Sequence, residues 1–246
     1  FHGTAWEFHR NDSLNATGFF KPSAGKPEME RNQFGGVFGG PIIRNRSFFF
    51  VNYEGYRQEQ STVTFSSLPT EALRQGNMGK PIVNPLTGEL YANGIIPQSA
   101  ITPFARAVLA GLPQPTRAGI SNNYDTLPIQ TDENNKFDIK ADQQISTGTS
   151  AFFRFSHRKL NNFEPPAIPG DIGAPSNAYV EVLNQQYAAG FTRQMSAKSL
   201  LEIRVGVSKT EAGKSALGTG GPDMLQLYGI TGLPSNTYFS GGTTQQ

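Results

Sequence analysis

Ser199-Leu200-Leu201-Glu202-Ile203-Arg204-Val205-Gly206-Val207-Ser208-Lys209 decides the fold class. Leu201, Ile203, Val205 and Val207 fall on alternate positions, with Glu202, Arg204, Gly206 and Ser208 between them. An extended strand sends these two sets to opposite faces. A helix would scatter the two charges around its circumference. The stretch reads as a strand with one apolar and one polar side.

The same period recurs upstream. Leu183, Tyr187, Ala189 and Phe191 alternate with Asn184, Gln186, Ala188, Gly190 and Thr192. Asn135, Phe137, Ile139 and Ala141 alternate with Lys136, Asp138, Lys140 and Asp142, and Ala151, Phe153 and Phe155 with Ser150, Phe152, Arg154 and Ser156. Phe49, Val51 and Tyr53 oppose Asn52 and Glu54; Phe34, Phe38 and Ile42 share a face within the glycine-rich Gln33–Ile43. Over Phe1–His9, Trp6 and Phe8 lie on the face away from Glu7. Seven strands are expected.

Link lengths choose among all-β architectures. Arg44-Asn45-Arg46, Ser146-Thr147-Gly148 and Gln194 to Lys198 are short links, with Gly148 expected to supply a positive backbone angle. The others are long: Arg10 to Asn32, Gln58 to Asn134, His157 to Tyr179, and the chain after Thr210. Short and long links alternate, as in transmembrane barrels with tight periplasmic turns and long outer loops. A soluble sandwich would be short-linked at both ends. The expected fold is therefore all-β, an antiparallel transmembrane β-barrel wall with a long extracellular insertion at 58–134. Thr102 as cap, Pro103 at the first position and an apolar Phe104–Leu112 predict one short helix inside the insertion.

Composition agrees. Hydrophobic residues make up 37% and charged residues 16%, too apolar for disorder. No run reaches the roughly 18 apolar residues of a membrane-spanning helix, but barrel strands give lipid only every second residue. With 21 basic and 19 acidic residues in balance, a nucleic-acid partner is not expected. The absence of cysteine excludes disulfides and thiolate-ligated metals. Beginning at Phe1-His2-Gly3 without Met, the chain reads as cut from a longer polypeptide.

A bilayer-spanning strand needs about 9–11 residues at a tilt near 45°. Trp6, Phe8, Tyr53 and Tyr56 near strand ends would then join an interfacial aromatic girdle. Polar alternates would face a lumen or a plug: Glu7, Asn52, Glu54, Lys136, Asp138, Lys140, Asp142, Arg154, Glu202 and Arg204. The plainer reading of these groups is solvated, mutually paired wall charge.

Particular words in the sequence resemble a known family. Phe1-His2-Gly3-Thr4-Ala5-Trp6-Glu7-Phe8-His9-Arg10-Asn11-Asp12 looks like the stretch after the plug in TonB-dependent outer-membrane receptors. Asn32-Gln33-Phe34-Gly35-Gly36-Val37-Phe38-Gly39-Gly40-Pro41-Ile42-Ile43, followed by Ser47-Phe48-Phe49-Phe50-Val51-Asn52-Tyr53-Glu54-Gly55, resembles their Oar-like subfamily. Those proteins, abundant in acidobacteria, carry a carboxypeptidase-regulatory-like domain ahead of the plug. Leu68-Pro69-Thr70, Asn84-Pro85-Leu86-Thr87-Gly88, Ile95-Ile96-Pro97 and Asn135-Lys136-Phe137-Asp138 add to the resemblance, which is specific in the first half of the chain. It implies the first part of a barrel of about 22 strands around a plug. It also implies an outer membrane of a Gram-negative, acidobacterial cell, and energised uptake driven by TonB–ExbB–ExbD through regions outside this chain. Metal chelates, saccharides and peptides are the substrate classes so implied, with export left open.

No catalytic constellation or cofactor motif is expected, and the chain reads as a non-enzyme. His2, His9 and His157 lack metal-motif spacing, no Gly-x-Ser-x-Gly elbow occurs, and the paired glycines lack a phosphate-loop Lys-Ser/Thr. Asp125, Asp132 and Glu133 read as solvated loop charge rather than a calcium loop. Tyr91, Asn122, Asn123 and Tyr124 in the insertion are the expected ligand-contacting residues, offering stacking and hydrogen bonds. The competing class is a surface binding or adhesion module without active transport.

Overall fold

The computed structural model describes residues 1–19, 25–170, 178–217 and 229–232. Seven strands form one sheet: β1 (His2–Asn11), β2 (Met29–Ile43), β3 (Ser47–Ser61), β8 (Ile129–Ser146), β9 (Thr149–Phe163), β10 (Tyr179–Ser196) and β11 (Ser199–Ser215). Four short strands lie in the insertion between β3 and β8: β4 (Thr64–Ser66), β5 (Ile82–Val83), β6 (Leu90–Tyr91) and β7 (Tyr124–Thr126). Two helices join them there, α1 (Glu71–Arg74) and α2 (Pro103–Gly111). No helix among the described residues is long and apolar enough to cross a membrane.

The large sheet runs β1-β2-β3-β8-β9-β10-β11, every pair antiparallel, so each strand neighbours its predecessor in the sheet's chain order. An antiparallel meander puts successive links at opposite ends. The three tight turns therefore share one end, and the links 12–28, 62–128 and 164–178 share the other. Asn45 turns the β2–β3 hairpin with φ 61°, in the left-handed region that asparagine tolerates. Gly148 does not use a positive φ, contrary to expectation. Its carbonyl instead accepts the Gln194 N–H at 2.8 Å, and a Cβ there would meet the Gln194 Cβ at 3.3 Å. Glycine serves close approach to the next hairpin.

Most of these strands hold 15–18 residues, longer than apolar alternation marks. At about 3.4 Å per residue they reach roughly 50–60 Å, well beyond one bilayer crossing. The excess lies toward the long links, where polar residues continue the backbone ladder after hydrophobic alternation stops.

Register carries side chains across the sheet in lines. One line joins Phe38, Val51, Ile139, Phe155, Tyr187 and Val207; the next toward the turns joins Phe49, Ala141, Phe153, Ala189 and Val205. Aromatic contacts bind these lines, with ring centroids 5.5 Å apart for Phe137–Phe155 and 4.7 Å for Phe155–Tyr187. No second sheet covers this face among the described residues, and Val205 and Val207 are 61% and 63% exposed. Buried hydrophobics among the described residues are only Leu68, Tyr124 and Ala178. A sheet this bare on its apolar side needs another apolar phase against it.

α2 forms as its sequence dictates. Thr102 accepts the Ala105 N–H at 3.2 Å as N-cap and Pro103 opens the helix. Arg74 closes the insertion by donating to the carbonyls of Pro69, Leu109, Leu112 and Pro113. Three of these carbonyls, Leu109, Leu112 and Pro113, lie at the C-terminal end of α2, and the fourth, Pro69, lies just before α1.

Candidate site on the polar face

The opposite face carries the line Asn52, Asp138, Ser156, Gln186, Ser208 and, beside it, Glu54, Lys136, Arg158, Asn184, Thr210. Asp138 is the hub. It accepts from Asn52 Nδ2 at 3.3 Å, Arg154 Nη2 at 2.8 Å and Ser156 Oγ at 2.5 Å. Lys136 pairs with Glu54 at 2.8 Å and Lys140 with Asp142 at 2.8 Å. Arg204 Nε donates to Glu202 Oε1 at 2.6 Å. All these groups are partly exposed, so each pair contributes about 0–1 kcal/mol. Their main effect is to hold fixed, mutually neutralised charge on a wetted wall.

Asn52, Glu54, Asp138, Asp142, Arg154, Glu202 and Arg204 thus share one face, as alternation predicted. Glu7 does not. It registers with Phe34, on the face of Gly55, Asn135 and Leu183, opposite the other seven. Trp6 and Phe8, read as apolar-face residues, occupy the polar face with Tyr56, leaving Tyr53 alone of the four expected girdle aromatics on the apolar side. Pairing between the strands sets this: Trp6 registers with Gly35 of β2, and its ring lies where a Gly35 Cβ would come within 2.6 Å. Ser156 and Phe152 belong to the polar-face assembly without having been singled out. Alternation already placed both there, but no single-strand signal reveals that Phe152 lies under Lys140, 5.8 Å from its ring centroid.

The insertion residues separate in the same way. Asn123 is fully buried: its Oδ1 accepts the Leu68 N–H at 2.8 Å, and its Nδ2 donates to Leu68 O and Gly119 O, both at 2.9 Å. Tyr124 is buried too, and desolvation pushes its phenol pKa up. Neither side chain is presented to an external ligand; they hold the insertion together. Asn122 is exposed at φ 47°, its N–H donating to Ser67 Oγ at 2.9 Å, and Tyr91 is half-exposed with its hydroxyl on Glu89 at 3.3 Å. Asp125 is buried against Thr116, while Asp132 and Glu133 point to opposite faces of β8. No group of three metal-ligating side chains occurs among the described residues.

A meander bare on its apolar face and ion-paired on the other has the form of a barrel wall. The model of the outer membrane beta barrel domain family matches residues 1–246. The chain belongs to that family. No curated protein and no solved structure matches it. As an outer-membrane β-barrel domain it resides in the outer bilayer of a Gram-negative envelope.

Proposed function

We propose that this domain forms the opening third of a TonB-dependent receptor barrel of the Oar-like kind. On this reading its polar face looks onto a plug carried elsewhere in the protein. The receptor takes up a scarce solute (a metal chelate, saccharide or peptide) with energy from TonB–ExbB–ExbD. The supporting observation is that β1 and β11 each have one strand neighbour among the described residues. Backbone groups cannot stay unpaired in hydrocarbon, so further strands must complete the ring. A wide ring suits a polar, ion-paired inner face, because a small barrel would fill its interior with side chains. The insertion between β3 and β8 is then extracellular, at the mouth.

The adhesion-module reading requires the apolar face to pack on a second sheet, and the exposure of Val205 and Val207 favours the membrane. The test is growth of cells expressing the full-length protein on iron chelates, cobalamin, saccharides and peptides, with and without TonB. One substrate class is expected to require both proteins. Growth independent of TonB on every class would reject the reading.

A further inference from the structure

At the long-link end, the polar face changes character. Arg10 on β1 and Arg31 on β2 are direct register partners. Directly opposed side chains start about 5 Å apart at Cβ, and like charges so placed repel. Nearer the turns Lys136 sits on Glu54, Arg154 on Asp138, Lys140 on Asp142 and Arg204 on Glu202. Lys140 also opposes Arg154 and Lys136 opposes Arg158, and of these four only Arg158 lacks an ion pair among the described residues, its Nε donating to Asn134 Oδ1 at 3.3 Å. Neither Arg10 nor Arg31 forms an ion pair among the described residues. Arg31 spends only its Nε, donating to Gln58 Oε1 at 2.9 Å, with its guanidinium 5.9 Å from the Tyr56 ring centroid. The Tyr56 hydroxyl donates to the same Gln58 oxygen at 2.5 Å, which fixes the assembly. The terminal nitrogens of Arg31 and the whole Arg10 guanidinium have no described acceptor.

We infer that Arg10 and Arg31 form an anion clamp that engages the carboxylate or phosphate groups of the transported solute at the barrel mouth. Two guanidinium forks side by side match a planar oxyanion in bidentate fashion, and the bound anion cancels their repulsion. Face favours a solute over the membrane, because Arg10 and Arg31 share the polar side with Asn52 and Asp138, opposite the apolar lines, and height sets them at the mouth. Arg31 stands about 40 Å along β2 from Ile43 at the turn, or roughly 29 Å along the normal at 45° tilt. That is past an apolar band about 25 Å tall. The inference rests on the receptor reading above and adds the charge class of its solute.

The test uses the full-length protein in detergent, with citrate and inorganic pyrophosphate as probes and sorbitol as the uncharged control. Calorimetry is expected to show saturable binding of both anions, weakened by salt, and none of sorbitol. Arg10→Gln/Arg31→Gln should lower anion affinity at least tenfold. Arg10→Lys/Arg31→Lys should keep the charge yet lose several-fold through the missing fork. Heat-modifiable gel mobility is measured on each variant. Unchanged mobility with anion affinity equal in wild type and the Gln variant overturns the clamp alone, as does the absence of saturable anion binding. A Gln variant that instead exposes the plug to protease, with anion binding intact, assigns the arginines to a plug carboxylate and also overturns it. Loss of barrel mobility in the wild-type protein would remove the receptor reading itself.

Discussion

The ring of Phe152 lies across Gly190, its direct register partner on the next strand, so that a Cβ on Gly190 would sit 2.1 Å from Phe152 Cε1. Gly190 is therefore the floor beneath an aromatic, and the same ring supports Lys140. Gly190→Ala is expected to cost about 1–3 kcal/mol by overpacking. Phe152→Ala in the same chain should recover part of that loss. Urea unfolding of the folded barrel in lipid, compared as a double-mutant cycle, measures the coupling; strictly additive losses would show that ring and glycine do not touch.

Val205 lies amid the apolar line of β11. Val205→Arg should destabilise the barrel by about 2–4 kcal/mol if that line sits at the bilayer midplane. Ser208→Arg, on the opposite face, should leave stability within about 0.5 kcal/mol, as for an ordinary surface change. Folding titrations into vesicles give both numbers, and equal costs would contradict the assignment of faces.

Asp12 closes the link between β1 and β2. Its Oδ1 accepts the Met29 N–H at 3.3 Å, and Lys26 pairs with its Oδ2 at 3.4 Å while also donating to Asn15 O at 3.0 Å. The Met29 bond, with Lys26 beside it, holds the carboxyl below the ordinary aspartate value of 3.8. A depressed folded pKa means the clamp is complete above that ordinary value and is lost as pH falls through the lower one. Proteolysis of residues 12–28 should accelerate only below about pH 4. Asp12→Asn should give a faster rate without that acid step.

Asn123→Ala removes the bracket on Leu68. Orphaning the buried Leu68 N–H and C=O should cost about 2–4 kcal/mol within the insertion. Hydrogen exchange across residues 62–128 is expected to rise sharply while β8–β11 stay protected. Uniform loosening of both regions would show that insertion and wall unfold together.

Much of the wall was legible strand by strand. Side chains alternate with period two whatever the tertiary context, so Asn52, Asp138, Arg154 and Glu202 could be given faces relative to their own neighbours. The Thr102-Pro103 helix start is equally local. Strand ends were not legible, because hydrogen-bonded backbone continues through polar residues such as Glu133 and Glu181 that carry no apolar period.

Sequence by itself determined the strands, the short links at 44–46 and 147–148, and the separation of apolar from polar residues within each strand, since these arise from interactions a few residues long. Tertiary structure alone decided which face of β1 joins which face of β2, and so moved Glu7 away from Asn52 and Glu54. It also decided that Asn123 is enclosed and that Arg10 meets Arg31. Those outcomes depend on register and burial between segments distant in the chain, where a slip of one residue would invert every face.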